Sequence, residues 1–477
     1  MKVLVAIANF GNKNDAFRDI LIKEYQSMDY DIDIVILSNI PKDLGPDIKV
    51  KVGLPTSDPW SLPFGHKQLF ADNIENYDLF IYTEDDTLLT QKNIESFLEV
   101  TEYLPEHMIA GFLRYEENSD KKKFCSTMHS FYHWDPSSVC EYNNETFAFY
   151  TNEHGALFIL TRNQLKKAIN SGGFLVPPHE GKYDKLVSAA TDPYTQCGMK
   201  KMICVSRIDD FLIHHLPDIY SESMGRSILN LLEYDQLKKM IVPINNYKNY
   251  ENFNTVLFNP STRLLTEYFD KIFHTKVNEQ LISLIKEEYQ TILSVGCVDC
   301  KNEKVLIEKG YSVTGIPVDN IIASLAKINR LEVLSPDFNL AFNQLQGRQF
   351  DCIIFDNVLQ FIEYPVDTLI NFKRFLSENG SILIKIPNYA NISLIMKSKN
   401  KDSIFYKFKT KIHNFSTSGL NYINFNVLNI WLKPAGLCID RRKNLYSPRL
   451  YKINKLFFNF FNRYLSSEII VRVIIKK

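Results

Sequence analysis

The sequence carries no net charge, because its 55 Lys and Arg residues are matched by 55 Asp and Glu residues. Nucleic-acid-binding proteins normally show a basic excess or a basic patch, so we expect no nucleic-acid partner. Apolar residues make up 45% of the 477 residues and charged residues 23%, which is typical of a globular protein. A chain of this length can bury two or three separate cores.

Long apolar runs are also missing. No run reaches the roughly 18–20 residues that span a bilayer, so we expect no transmembrane segment. The aromatic, basic segment 450–465 is compatible with a helix on a membrane surface, although we favour a helix that faces the core. The start of the chain, M-K-V-L-V-A-I-A-N-F-G, has no signal-peptide cleavage pattern. Together with eight scattered cysteines, this predicts a cytoplasmic protein with reduced thiols.

A second cysteine pair is lacking beside Cys297 and Cys300, which form a C-x-x-C motif. A structural zinc ion needs four ligands, usually from two such pairs. A redox motif of the thioredoxin type would need a different setting. We therefore predict neither a zinc site nor a redox centre there.

Aliphatic strands and helical patterns alternate in two separate parts of the chain. In the first part, a strand at 3–7, a helix at 15–28 and a strand at 32–37 form a βαβ unit, which predicts a largely parallel sheet. The second part starts with a strand at 291–296, and further strands are expected at 312–316, 351–355 and 380–386. The predicted fold class is α/β, with two doubly wound domains at 1–222 and 286–477 and a helical connector at 223–285.

Three acidic residues, Glu84, Asp85 and Asp86, follow the buried strand pattern N-Y-D-L-F-I. Residues i and i+2 of a strand share a face, so Glu84 and Asp86 should project together from the carboxyl end of a parallel strand. In open α/β sheets this edge binds ligands. Paired carboxylates suit Mg²⁺ or Mn²⁺, which takes further ligands from substrate phosphates. The alternative is a solvated turn after the strand.

The early strand, the segment H-K-Q-L-F-A-D-N-I and Y-D-L-F-I-Y-T-E-D-D together resemble GT-A-type glycosyltransferases over residues 1–220. The resemblance implies that Glu84 and Asp86 hold the metal of a nucleotide-sugar donor, in a D-x-D-like motif that begins here with Glu. A late histidine completes the metal shell in that family, and His215 is our first candidate, with His214 second. Asn9 and Asp85 are candidates for binding the nucleotide sugar, and the acceptor would be a glycan.

Glycosyl transfer with inversion also needs a base that takes the proton of the acceptor hydroxyl. The preferred candidate is Asp192, which Pro193 would place on a loop. The other is Glu153, close to Gly155, where the backbone can approach a ligand. A retaining enzyme would need no such base, and the sequence leaves the stereochemistry open.

The segment I-L-S-V-G-C-V-D-C (292–300) and the segments around 310–319, 350–365 and 376–388 resemble Rossmann-like S-adenosylmethionine (SAM) methyltransferases over residues 275–477. The resemblance implies SAM as a cofactor. The first motif has Ser294 in place of its acid and keeps one of its three glycines, Gly296. Pro317 replaces the acid that would hold the ribose. These departures indicate weakened or lost cofactor binding. If binding is retained, the candidate SAM-binding residues are Gly296, Cys297, Asp319 and Asn357.

The main hypothesis is therefore a metal-dependent glycosyltransferase with an appended methyltransferase-like domain that is active or degenerate. The alternative is a SAM-dependent methyltransferase that acts on a glycan and uses the N-terminal domain as a sugar-binding module.

Overall fold

The structure is a computed structural model of the chain. It describes residues 1–126, 133–221, 231–250, 252–257, 277–298, 300–328, 331–397, 415, 419–446, 450, 451, 454, 455 and 461–476. The chain divides into two compact units, unit 1 (Met1–Asn245) and unit 2 (Asn246–Lys477). Both are built from mixed α/β elements, which confirms the predicted α/β class with more than one domain.

Unit 1 contains fourteen described strands and six described α-helices. The strands are β1 (Lys2–Asn9), β2 (Asp31–Ser38), β3 (Ile48–Val52), β4 (Leu79–Glu84), β5 (Thr87–Leu88), β6 (Met108–Ala110), β7 (Leu113–Glu117), β8 (Lys123–Ser126), β9 (Cys140–Tyr142), β10 (Glu145–Ala148), β11 (Leu157–Thr161), β12 (Lys200–Cys204), β13 (Leu212–His215) and β14 (Leu231–Glu233). The helices are α1 (Asp15–Ser27), α2 (Gly65–Asp72), α3 (Gln91–Thr101), α4 (Arg162–Asn170), α5 (Lys185–Thr195) and α6 (Tyr234–Asn245).

The main sheet of unit 1 has the order β11-β4-β1-β2-β3. Its first four strands in chain order run parallel, and β11 joins β4 antiparallel. Val3–Ala8 of β1 are buried, as expected for a parallel strand covered on both faces. In the register of β1 and β4, Ala8 lies opposite Glu84. The carboxyl ends of these two strands therefore meet at one edge.

Two smaller sheets complete unit 1, with the orders β6-β12-β10-β9 and β14-β8-β7-β13-β5. The second sheet matters for the acidic edge, because β5 follows β4 after a two-residue turn and pairs with β13. In this pairing His215 lies opposite Thr87.

Unit 2 contains seven described strands and eight described α-helices. The strands are β15 (Thr291–Cys297), β16 (Ser312–Pro317), β17 (Glu332–Val333), β18 (Phe350–Asp356), β19 (Leu376–Pro387), β20 (Leu437–Leu445) and β21 (Glu468–Ile475). The helices are α7 (Glu279–Ile282), α8 (Lys301–Glu308), α9 (Asn320–Ile328), α10 (Phe338–Gln344), α11 (Pro365–Lys373), α12 (Ile392–Lys397), α13 (Phe425–Leu432) and α14 (Asn462–Leu465).

The strands of unit 2 form one sheet in the order β17-β16-β15-β18-β19-β21-β20. The first five strands are parallel, and β21 lies antiparallel between β19 and β20. Numbered within the unit this order is 3-2-1-4-5-7-6, so its first five strands follow the doubly wound Rossmann arrangement. The ligand edge of such a sheet is formed by the carboxyl ends of β15, β16 and β18.

The segment 223–285 differs from the helical connector predicted for it. Residues 231–233 form β14, which pairs with β8, and the division between the two units falls at Asn245. Helix α6 lies within unit 1 and carries Pro243, while α7 is only four residues long. The rest of the predicted connector includes residues 223–230, 251 and 258–276, which lie outside the described residues.

Two further expectations concern the cysteines and the membrane. All eight cysteines lie in described parts of the chain and are free thiols. Across the described ranges, no helix is both long and apolar enough to cross a bilayer. The segment 450–465 lies partly outside the described residues, so its placement on the core or on a membrane surface stays a prediction.

Candidate functional site

The carboxyl ends of β1 and β4 bring Asn9 and Asp85 into direct contact. The side-chain amide of Asn9 donates to Asp85 Oδ2 at 2.7 Å, and that of Asn14 donates to Asp85 Oδ1 at 2.8 Å. Arg18 donates to Asn9 Oδ1 at 3.1 Å and so orients its amide group. Burial raises the pKa of Asp85 to about 6, although both amides oppose the shift. The two predicted nucleotide-sugar-binding residues are therefore neighbours.

A second contact joins the acidic edge to β13. His215 Nε2 lies 3.5 Å from Asp86 Oδ2, and His215 Nδ1 lies 2.6 Å from Glu116 Oε1. The other oxygen of Glu116 accepts hydrogen bonds from the backbone N–H groups of Tyr220 and Ser221, at 2.7 and 2.8 Å. The imidazole thus lies between two carboxylates, and the Glu116 carboxylate is itself fixed by the backbone.

The charges at this edge are strongly coupled. Burial lowers the pKa of His215, but its hydrogen bonds to Asp86 and Glu116 outweigh burial and leave the pKa raised. Burial and the neighbouring Asp86 raise the pKa of Glu84, against the positive charges of Arg114 and His215. For Asp86, the hydrogen bond and charge of His215 outweigh burial and lower the pKa. Arg114 and His215 therefore both oppose the negative charge of the carboxylates at this edge.

The predicted ligand set Glu84, Asp86 and His215 is only partly assembled. Within the described ranges, no group of three or more His, Cys, Asp or Glu side chains is placed to hold a metal ion. Asp86 and His215 do meet, and a carboxylate behind the imidazole, as Glu116 is here, is the usual support of a metal-binding histidine.

His214, the second candidate ligand, is in a different environment. Its Nε2 lies 2.9 Å from Asp218 Oδ1, and its ring stacks on Tyr115 with centroids 4.9 Å apart. Successive residues of a strand point to opposite faces, so β13 directs His215 and not His214 toward Asp86.

Asp192 does not lie on a loop, which corrects the prediction. It belongs to α5, where Asp184 caps the first turn and Pro193 lies near the last residue of the helix. Pro193 lies near the end of the helix, which ends soon after this residue. The proline does not exclude Asp192, its neighbour, from the helix. The carboxylate is fully buried, forms an ion pair with Lys67, and lies 3.1 Å from His179 Nε2.

Glu153, the other predicted base, is also held in an ion pair. Lys182 Nζ donates to both carboxylate oxygens at 2.8 and 2.6 Å, and the Tyr183 hydroxyl donates to one of them. Burial raises the pKa of Glu153, but the Lys182 charge and these hydrogen bonds outweigh it and lower the pKa. Nearby, Lys201 is buried with its ammonium group at 3.3 Å from the Glu153 carbonyl oxygen, and burial lowers its pKa to about 8.

In unit 2, the retained glycine of the first motif is required by packing within the chain. Gly296 has a φ of +76°, and a Cβ added to it would lie 2.6 Å from Val358 Cγ2 and 3.4 Å from Leu257 Cδ2. The side chains of Val358 and Leu257 therefore fill the space beside this backbone. Because its own neighbours explain this glycine, its retention is not evidence of a bound cofactor.

The edge beside Gly296 is covered by residues 252–257 of the same unit. Leu257 donates its backbone N–H to the Val318 carbonyl at 2.8 Å, and Val256 pairs with Asp319. Asp319 is fully buried, and its carboxylate accepts a hydrogen bond from the backbone N–H of Ile322. This hydrogen bond caps the start of α9. A residue in this position does not reach ribose hydroxyls, so Asp319 does not fit the role predicted for it.

Cys297 and Asn357 also take part in contacts within the fold. The Cys297 sulfur lies in the core of unit 2, 3.1 Å from the position that a Cβ of Gly315 would take. The side-chain amide of Asn357 donates to Glu468 Oε1 at 3.2 Å, and Asn357 itself has a φ of +52°. Among the described residues, each of the four candidates packs against or bonds to other parts of unit 2, so we derive no step through SAM.

Gly296→Ala should destabilise unit 2 by about 2–4 kcal/mol. The left-handed backbone contributes about 1–2 kcal/mol of this and the overlap with Val358 the rest. Gly347→Ala is the matched control, because Gly347 has a φ of +78° and no atom within 4 Å of its added Cβ. Hydrogen exchange of β15 peptides measures both variants. Equal costs would show that the Val358 contact does not constrain this position.

Comparisons with known proteins identify solved structures of methyltransferases with low similarity to this chain. No family model matches the sequence, and no curated protein matches it. A SAM-dependent methyltransferase from Archaeoglobus fulgidus is 12% identical, covering 41% of this chain and 90% of that one, with a TM-score of 0.31. A TehB-like SAM-dependent methyltransferase from Corynebacterium glutamicum is 19% identical, covering 42% and 86%, with a TM-score of 0.27. A possible histamine N-methyltransferase from Thermotoga maritima is 15% identical, covering 42% and 86%, with a TM-score of 0.29. These values transfer no activity to this chain, and the description of unit 2 rests on its strand order.

Proposed function

We propose that unit 1 is a glycosyltransferase that moves a sugar from a nucleotide-sugar donor to a glycan acceptor with the help of Mn²⁺ or Mg²⁺. The observation that supports this most is the His215 imidazole between Asp86 and Glu116 at the carboxyl edge of a parallel sheet. Such an edge is the usual ligand-binding position of an open α/β sheet.

Each residue at the edge has a proposed task. Asp86 and His215 would hold the cation, which neutralises charge on the departing phosphate groups when it is bound. The buried Asn9 amide fixes the Asp85 carboxylate, which would contact the nucleotide sugar. The Arg114 guanidinium is close enough to influence the pKa values of Glu84 and Asp86, so it adds positive charge for an anionic donor.

A thermal-shift experiment with Mn²⁺ and a panel of UDP-, GDP- and CMP-sugars tests the proposal. At about ten times the dissociation constant, the correct donor should raise the melting temperature by about 3–5 °C. Asp86→Asn should remove this stabilisation. The control is Glu117→Gln on β7, a partly exposed carboxylate whose ion-pair partner is Lys121. A panel in which no donor stabilises the chain, or an Asp86→Asn variant that is still stabilised, contradicts the proposal.

A second candidate is SAM-dependent methyl transfer to a glycan by unit 2. It is supported by the strand order of unit 2. The buried Asp319 and the covered Gly296 are against it. Calorimetry with SAM decides: a micromolar dissociation constant would establish the cofactor, and no heat at millimolar SAM would remove this candidate.

A further inference from the structure

Asp192 belongs to a group of three side chains from separate parts of unit 1. Lys67 of α2 forms an ion pair with Asp192 of α5, and both side chains are almost completely buried. His179, in the loop before α5, places Nε2 at 3.1 and 3.2 Å from the two oxygens of the carboxylate. A buried carboxylate held in this way does not reach an acceptor hydroxyl.

His179 is the member of this group that reaches solvent, because a quarter of its side chain is exposed. With Nε2 donating to Asp192, Nδ1 carries the free lone pair and has no hydrogen-bond partner in the described parts of the chain. The edge of the imidazole packs against Phe64 with centroids 5.8 Å apart, which restricts its orientation. A carboxylate that accepts from one imidazole nitrogen and leaves the other as a base is the arrangement of hydrolytic triads.

The loop that carries His179 also fixes the second predicted base. Lys182 and Tyr183 of this loop hold the Glu153 carboxylate, and the Gly181 N–H donates to the Tyr183 carbonyl at 3.0 Å. The loop therefore connects the two acidic residues that were candidates for the base. His179 is the partly exposed imidazole of this loop, and Glu180 beside it is exposed.

The group lies on the face of the main sheet from which Glu84 projects. Tyr82 and Glu84 share one face of β4, since they are two residues apart in a strand. The Tyr82 ring packs on His66 with centroids 4.3 Å apart, and His66 directly precedes Lys67 on α2. Helix α2 thus anchors Lys67 and its partners on this face of the sheet.

We propose that His179 is the general base of unit 1 and that Asp192 is its positioning residue, an inference that rests on the proposed glycosyl transfer. The acceptor O–H proton moves to His179 Nδ1, and the acceptor oxygen bonds to the anomeric carbon of the donor. The bond from that carbon to the phosphate oxygen breaks, and the phosphate leaves with the electron pair. The imidazolium is stabilised by Asp192 and then loses its proton to water. This sequence inverts the anomeric centre.

The test uses the full chain and the UDP-sugar that stabilises it, with water as acceptor and released UDP as the readout. His179→Gln should lower UDP release by about 10²–10⁴-fold, since a positioned base contributes about this factor. The thermal shift caused by the donor should stay unchanged. His179→Ala should regain part of the rate when imidazole is added, which a structural role would not explain. His107→Gln, at an exposed position, is the control.

The possible outcomes separate the two proposals. If the donor stabilises His179→Gln and UDP release continues at the wild-type rate, the base assignment is wrong while glycosyl transfer stands. If imidazole does not increase the rate of His179→Ala, the histidine does not act as a base. If no nucleotide sugar stabilises the wild-type chain, glycosyl transfer fails and the base assignment fails with it.

Discussion

Replacing Asp192 by alanine should destabilise unit 1 by about 3–5 kcal/mol, one of the two largest effects that we expect from a single substitution in this protein. The Lys67 side chain is only 4% exposed, and removing Asp192 leaves its ammonium group buried without its partner. Burial already lowers the pKa of Lys67, although the Asp192 charge works against that shift. The variant must therefore deprotonate Lys67 or open the structure to water. Hydrogen exchange of peptides from α2 and α5 measures the cost.

The double variant Lys67→Met/Asp192→Leu distinguishes a lost ion pair from lost packing. Uncharged side chains of similar volume remove both charges at once, so this variant should lose much less stability than Asp192→Ala. Glu75→Ala provides the surface control, because Glu75 and its partner Lys166 are 67% and 44% exposed and such pairs contribute about 0–1 kcal/mol. If Asp192→Ala costs no more than Glu75→Ala, the pair does not stabilise the fold.

The parts of the site that follow a local rule were accessible from the sequence. Parallel strands bring their carboxyl ends to one edge, so the acidic residues after β4 were expected at the ligand edge of the sheet, where Asp85 forms a hydrogen bond with Asn9 at the end of β1. The alternation of side chains along β13 explains why only one histidine of the pair faces Asp86. Both inferences need the order of the elements and the periodicity of a strand, which a single sequence contains.

The contacts that the sequence did not predict join residues that lie far apart along the chain. Glu116 meets His215 across 99 residues, and Lys67 meets Asp192 across 125. No spacing rule joins such positions. The one available signal was an acidic residue inside the strand-like pattern L-R-Y-E-E, since a carboxylate on the buried face of a strand requires a partner.

Asp192 and Asp319 show why a residue type is not enough. Asp192 was chosen as an acid before a turn-forming proline and Asp319 as an acid shortly after the second strand of its unit, and both are fully buried in the structure. Asp192 lies in helix α5 and forms an ion pair with Lys67 of helix α2. Asp319 caps the start of helix α9. A helix cap and a ligand-binding acid have the same local sequence, and only the packing of distant segments such as 252–257 distinguishes them.

Acidification should destabilise unit 1 through His66, and this is the second large effect that we expect. This side chain is fully buried among the rings of Phe70, Tyr82, Phe158 and Phe174. Its Nδ1 donates to the Pro63 carbonyl at 2.6 Å, and Nε2 is buried without a hydrogen-bond partner in the described structure. Protonation would bury a charged N–H group with no acceptor. Burial and the neighbouring Lys67 charge accordingly lower the pKa of His66 to about 3.

The direction of the pH dependence follows from this shift. The unfolded chain binds a proton at His66 below pH about 6.5, while the folded chain resists it down to about pH 3. The contribution of His66 to stability is therefore complete above pH 6.5 and is lost as the pH falls toward 3. At pH 4 the loss should be about 3 kcal/mol, from about 2.5 pH units at 1.36 kcal/mol each.

His66→Phe isolates this contribution, because phenylalanine keeps an aromatic ring in the pocket and does not titrate. Whatever its stability at pH 7, the variant should lose about 3 kcal/mol less than the wild type between pH 7 and pH 4. Hydrogen exchange of the α2 and β4 peptides across this range gives the difference between the two proteins, so the carboxylates that titrate in both cancel. His107→Phe, at an exposed position, should behave like the wild type. Parallel acid dependence in the wild type and His66→Phe would mean that the folded chain accommodates a protonated His66, and the aromatic pocket would then have to open locally before unit 1 unfolds.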